Sequence, residues 1–456
     1  MQKKPEYERT ARECEAALAK EAAPSNTAAA WLYLHVMIPV LLEYVEWVLV
    51  FACRDGIRRL YFLARDGWQM YLAAKCLCRI HGLDLDCRYL HVSRFSLRVP
   101  EYALLGEECL EHICIGGIDV TFGKIMARAA LTPEEARHIA GLLGYSDKLD
   151  VILSYQEIKH LKEKLRGNGQ FFSYVRKHSR EAYPGTMGYL EQEGMLEDVF
   201  FALVDSGWTG TLQQSLRHLL QTKKPNVSFK GYYFGLYELP SGAQREAYAA
   251  WYFDPERGLR RKVHFSNCLF EAIFSAPEGM TVGYDCEGQS WKFLREQKES
   301  CNQVQMELQE RLLMLYLERY ESELGGNAKC ESLISRTDGF TAARMTRQLL
   351  SACMSHPTRL ELLAYGDLLF SDDVLENDRK KISAELSAEE LKSQHLMYKA
   401  LIMLGLKKGT LRESAWIEGS IVKNGTHIRR NLWYAAWYKY FVYIRKMWKR
   451  MRCGKK

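Results

Sequence analysis

The sequence predicts an α/β protein: a Rossmann-like, mostly parallel sheet with a helical insertion, followed by a helical C-terminal region. Three observations carry that reading. The hydrophobic runs "RLYFLARDGW" and "FALVDSGWTGT" each stop at an Asp, pass through Gly and Trp, and give way to helical periodicity. Between Arg59 and Ser93 the pattern is strand, helix, strand, a βαβ unit, which implies parallel pairing with both faces of the sheet covered. The stretch from Glu101 to Lys177 is helical in pattern and separates the first pair of strands from the later ones.

Taken in order, residues 1 to 56 read as helix, interrupted at "APSNTAAA", where Ser25 or Asn26 would cap the next helix. From Trp31 to Cys53 the chain is apolar enough to span a bilayer, but it contains His35, Pro39, Glu43 and Glu46. Carboxylates are costly in hydrocarbon, so a helix buried against the core is expected, with the glutamates on its exposed or functional edge. Arg59–Ala64 is the first strand, Gly67 opens a turn, Trp68–Ile80 is a helix and Cys87–Ser93 a second strand. "LTPEEARHIAGLLG" opens with a helix-start signal: Thr132 as cap, Pro133 in the first turn, and Glu134 and Glu135 at the positive end of the helix dipole. Strands resume at Val199–Asp205 and Val227–Tyr237, with a helix from Thr211 to Leu220 between them. "CNQVQMELQERLLMLYLERYESEL" is amphipathic, with Leu308, Leu312, Leu313 and Tyr316 on one stripe. The expected division is therefore an α/β unit over residues 1–285, with an insertion near 101–195, and a helical region over 286–456.

Charge and cysteine usage narrow the functional classes. The net charge of +7 comes from the end of the chain: no acidic residue follows Glu418, while eleven Lys and Arg do, leaving 52 basic against 56 acidic residues up to and including it. A nucleic-acid-binding body is disfavoured and a single basic patch is expected. "NLWYAAWYKYFVYIRKMWKRMRCGKK" interleaves Trp433, Trp437, Tyr440, Phe441 and Trp448 with Lys and Arg, a pattern suited to an anionic membrane surface or to a helix docked on the core. The thirteen cysteines include no C-x-x-C pair and read as reduced thiols. The opening "MQKKPEYERTARECEAALAKEA" is charged, unlike a signal peptide. The expected location is the cytoplasm, at the periphery of the inner membrane face.

Ligands of open parallel sheets sit outside the carboxyl ends of the strands. Asp66 and Asp205 would project there, as catalytic acid or base or as ligands of a divalent ion, with Mg²⁺ the suggested cofactor. Gly67, Gly207 and Gly210 would allow close backbone approach, and Ser206, Thr209 and Thr211 would place hydroxyls and free N–H groups at a helix start suited to phosphate. Arg65 and Arg94 are candidate anion clamps, Glu271 a third acidic group, and Lys230 a further cation before a strand. His91 and His264 form no Ser-His-Asp or Cys-His pattern. The alternative for the aspartates is plain helix capping.

Two motif families resemble parts of these turns. Ala64-Arg65-Asp66-Gly67 is similar to the D-x-D-G motif of haloacid-dehalogenase-like phosphatases, with Ala where the nucleophile stands, and "VDSG" at 204–207 to their later acidic motif. "ALVDSGWTGT" resembles the phosphate loop of type I phosphoribosyltransferases, with Ser206 in place of the second acid. The series "YFLARDGW", "LHVSRFSLRVP", "VDSGWTGTLQ", "GYYFGLY" and "LFEAIFSAPEGMTVGYD" resembles, over about residues 30 to 290, haloacid-dehalogenase-like hydrolases of bacterial surface-polysaccharide gene clusters. That resemblance implies a Rossmann-like fold and a role near capsule or lipopolysaccharide assembly. The expected ligand is a phosphorylated sugar, nucleotide-sugar or lipid-linked intermediate. A non-catalytic assembly protein and a phosphoribosyltransferase-like enzyme are the alternatives.

Overall fold

In the computed structural model, five strands form one all-parallel sheet: β1 (Arg59–Leu63), β2 (Asp86–Leu90), β3 (Phe201–Trp208), β4 (Lys230–Leu236) and β5 (Tyr248–Phe253). The residues described are 5–19, 27–296, 302–324, 344–371, 379–403 and 413–453. The strand order is β2-β1-β3-β4-β5, so the order reverses between β1 and β3. β1 and β4 are almost wholly buried, because helices cover both faces and nearly every side chain must be apolar.

The helical run Thr27–Arg54 lies under the sheet with most of its apolar window buried. Tyr44 donates to the carbonyls of Asp205 (3.1 Å) and Tyr232 (2.9 Å), fixing the end of β3 against that helix. Glu46 corrects an expectation: it is buried, 1% exposed, and accepts from the Tyr7 hydroxyl, so it is not on an exposed edge. Glu43 accepts from Thr346 at 2.5 Å. The helix Pro5–Leu18 supplies a polar partner that the apolar pattern of 31–53 does not reveal. Ser25 and Asn26 lie outside the described residues.

The insertion is helical and has its own apolar core, including Phe122, Ile139, Leu161 and Phe171. Thr132 and Glu135 form the reciprocal cap their spacing predicts. The helix Gln303–Leu324 buries Leu312, Leu313 and Tyr316 in the largest core cluster, which also contains residues of β1, β3 and β4. That cluster therefore crosses the expected boundary at 285, a residue that lies inside β6 (Thr281–Glu287), paired with β7 (Ser290–Arg295).

Several boundaries differ from expectation: β3 and β4 start at Phe201 and Lys230, later than the expected Val199 and Val227, and β4 ends at Leu236. The second strand stops at Leu90, because Ser93 accepts from the Ser96 N–H and caps the next helix, Arg94–Leu105. The turn comes earlier, at residues 64–66, and Gly67 is already the first residue of the helix Gly67–His81. β3 runs on past Asp205 to Trp208, so Asp205 remains in the ladder, opposite Tyr233. Pairing continues because Gly207 faces Gly235: a Cβ on Gly207 would lie 2.5 Å from the Gly235 oxygen. The strand β5 and the β6–β7 hairpin had no reading in the sequence.

Candidate functional site

A cavity of about 970 Å³ opens where the strand order reverses, at the carboxyl ends of β1 and β3. That is where an open α/β sheet leaves a crevice between diverging connections. Two non-glycine residues in left-handed backbone mark its floor: Arg65 after β1 (φ 71°) and Trp208 at the end of β3 (φ 71°). Such a backbone costs roughly 1–3 kcal/mol at each position and persists only where surrounding contacts impose it.

Asp66 stands at the start of the Gly67–His81 helix but makes no capping bond to it. Its carboxylate instead accepts from the Ser206 hydroxyl at 2.5 Å. Asp205 is 9% exposed and faces the same cavity, as does Glu271 from the helix Asn267–Phe274. Glu271 accepts from the Trp208 indole N–H and lies 3.9 Å from the Arg94 guanidinium. All three carboxyls hold their protons more tightly than usual. Burial, then the Asp66 charge, pushes Asp205 up to about 7. Burial and Asp66 likewise raise Glu271 to about 7. Asp66 is raised by burial, while Arg65, the Ser206 hydrogen bond and Arg94 pull it back. Buried acids near neutrality are suited to proton transfer at physiological pH.

Cations line the same cavity, among the acids. Ser93 caps the helix that carries Arg94 and Arg98, which are one turn apart and line the cavity together. Arg98 is the residue that sequence reasoning missed. It is 4% exposed, donates to the Thr211 hydroxyl at 3.1 Å, and has no partner for its Nε. No carboxylate pairs with it among the described residues, and burial lowers it to about 10. Gly210 (φ 63°) leads into the helix Thr211–Gln221, whose first turn has no side-chain cap and borders the cavity. The N–H groups of that first turn have no side-chain cap and stand beside Arg98, an arrangement of donors suited to an anion.

Of the predicted binding residues, Arg65, Arg94, Ser206, Gly207, Thr209, Gly210, Thr211 and Glu271 all line this cavity with Asp66 and Asp205. Gly67 does not: it lets the helix approach β1, since a Cβ there would sit 3.0 Å from the Phe62 backbone. Lys230 pairs with Asp55 at 2.8 Å and takes no part in the cavity lining, and His91 stacks on Phe293.

The donor set suits a hard cation in part. Asp66 and Asp205 offer carboxylate oxygens, and their mutual repulsion would be relieved by a bound charge. Among the described residues no group of three His, Cys, Asp or Glu converges as a metal shell. Mg²⁺ would thus take its remaining ligands from water and ligand oxygens, as it commonly does.

Compared with known proteins, the chain matches no protein-family model and no curated protein.

Proposed function

We propose that the chain is a hydrolase or phosphotransfer enzyme acting on a phosphorylated sugar, nucleotide-sugar or lipid-linked intermediate. The observation that carries this reading is a cavity in which buried acids near neutrality stand among anion donors. The single reversal of strand order supports a Rossmann-like, doubly wound arrangement. The surface-polysaccharide setting rests on the motif series alone.

In phosphate-ester hydrolysis by this set, Arg98, Arg94 and the first turn of Thr211–Gln221 hold the phosphate oxygens. Asp66, whose carboxylate form Arg65, the Ser206 hydrogen bond and Arg94 favour, accepts a proton from the attacking water. Water forms the new P–O bond while the bond to the leaving oxygen breaks. A protonated Glu271 delivers its proton to that leaving oxygen, so the proton count balances. Ala64 provides no nucleophile, which favours direct attack by water over an aspartyl-phosphate route at that position. Asp66 and Asp205 would hold Mg²⁺, which would neutralise developing charge on the phosphoryl oxygens.

A non-catalytic assembly protein is the second reading, favoured by Ala64. The C-terminal helix Ile428–Cys453 bears on location under either reading. It packs Tyr443 on Tyr237 and buries Lys439 against Glu418, yet leaves Trp433, Trp437, Phe441 and Trp448 exposed along one stripe. Exposed aromatics beside basic residues support peripheral contact with an anionic membrane. Turnover of a phospho-sugar panel with Mg²⁺ decides between the readings. The enzyme reading expects turnover in wild type and its loss in Asp66→Asn and Asp205→Asn. Folded wild type that neither turns over nor binds any phosphorylated ligand supports the assembly reading.

A further inference from the structure

A second cavity, of about 700 Å³, lies between the segment after β5 and the helix Arg344–Ser355. Arg260, Arg261 and Arg347 line it together with His264 and His356, and among the described residues no acidic one does. None of the three arginines forms an ion pair with a described residue. Arg261 donates to the Tyr252 carbonyl and lies over the Tyr252 ring at 5.7 Å, which fixes its plane. Asp254, the buried carboxylate nearby, is occupied by Arg257 at 2.6 Å and by Arg245 at 3.7 Å. The Ser355 hydroxyl bridges the two histidines, 3.0 Å from His264 Nδ1 and 2.8 Å from His356 Nδ1.

These cations repel one another. Burial lowers His264 to about 4, with His356, Arg260 and Lys439 adding to the effect, and Arg347 opposes the charge on Arg261. A fold that gathers three guanidinium groups around a cavity without a carboxylate counterpart gains stability from an anion placed there. Planar guanidinium groups match phosphate oxygens two at a time.

We propose that this cavity is a second ligand site that takes a phosphate monoester, held by Arg260, Arg261 and Arg347. It is separate from the cleft between β1 and β3, and does not depend on the chemistry assigned to that cleft. The ligand's phosphate would come from a soluble ester or from a lipid headgroup. The second source is brought close by the basic C-terminal helix, whose Tyr440 ring lies 6.3 Å from the His264 ring.

The test uses full-length protein in an Arg94→Gln/Arg98→Gln background, so that phosphate binding at the first cleft is weakened. Titration calorimetry would be run with inorganic phosphate and with glycerol 3-phosphate. Flotation would be run with phosphatidylcholine vesicles, with and without phosphatidic acid. The expected result is saturable binding in at least one arm, weakened at least tenfold by Arg260→Gln/Arg347→Gln. Binding in the calorimetric arms identifies a soluble ester; binding only to phosphatidic acid vesicles identifies a lipid headgroup. Saturable binding unchanged by those substitutions, or no binding in any arm, overturns the proposal. If the double substitution disturbs the fold by circular dichroism, Arg260→Gln alone, at an exposed side chain, replaces it under the same criterion.

Discussion

The Ser206 hydroxyl on β3 donates to the carboxylate of Asp66 at the head of the Gly67–His81 helix, across 2.5 Å and 140 residues of sequence. This bond joins the ends of the two central strands at the reversal of strand order. It also explains why Asp66 does not cap its own helix: its carboxylate is turned toward the cavity. Ser206→Ala removes one donor from a buried carboxyl, so the proton affinity of Asp66 should rise. We expect a larger loss of turnover at pH 6 than at pH 8, because Asp66 must shed its proton to act as the base. An equal loss at both values would contradict this role.

Buried acids make stability depend on pH in a defined direction. Asp205 and Glu271 have folded values of about 7, against ordinary values of 3.8 and 4.5. Between those limits the folded state binds more protons than the unfolded state, so stability falls as pH rises. Without ligand or divalent ions, Asp205→Asn should stabilise the protein by about 1 kcal/mol or more at pH 8, since each tenfold change in proton affinity corresponds to about 1.4 kcal/mol. At pH 5 the gain should be smaller, vanishing only below about pH 4, where the unfolded chain also keeps the proton. Urea denaturation at the two pH values checks this; an equal effect at both would contradict it.

Arg98 should separate stability from binding. Its side chain is buried without a carboxylate partner, so replacing it with a neutral chain relieves a desolvated charge. Arg98→Met should leave the melting temperature unchanged or raised, while weakening binding of sugar phosphates at least tenfold. Calorimetry and thermal melting together provide the check.

Gly207 tests the backbone that positions Asp205. Its φ of 108° and its contact with Gly235 leave no room for a side chain. Gly207→Ala should cost roughly 2–4 kcal/mol by urea denaturation, combining steric conflict with backbone strain.

The aromatic stripe of the C-terminal helix predicts membrane contact without a cost in folding. Trp433, Trp437 and Trp448 are at least half exposed. Replacing all three with Ala should reduce co-sedimentation with phosphatidylglycerol vesicles several-fold, with the melting temperature held within about 2 °C, because exposed positions contribute little to stability. Undiminished sedimentation would remove the membrane role.

Much of the cleft is legible in the sequence because a hydrophobic strand ending near Asp and Gly is a local signal. Asp66, Asp205 and the Thr209–Thr211 loop could be found that way. Arg98 could not: within "RFSLRVPEY" it looks like any helix-face arginine, and its partner Thr211 is 113 residues away. The Trp208–Glu271 bond is equally tertiary. Glu46 misled because hydropathy identifies a buried helix but not the hydroxyl that will meet its carboxylate. The strand β5 is a short edge element whose pairing depends on β4. The basic cavity was missed because its arginines come from segments that meet only after folding.

The account's central claim is that acids poised near neutrality act on a phosphorylated ligand held by the cavity's cationic residues. Phosphate release from a sugar-phosphate panel, followed from pH 5 to 9 with Mg²⁺, tests it most directly. The expected outcome is a bell-shaped kcat/KM in wild type, falling on the alkaline side as the acid with its value of about 7 loses its proton, and at least a hundredfold loss in Asp205→Asn. A folded wild-type protein that releases no phosphate at any pH, or an Asp205→Asn variant with the wild-type rate and profile, would contradict it.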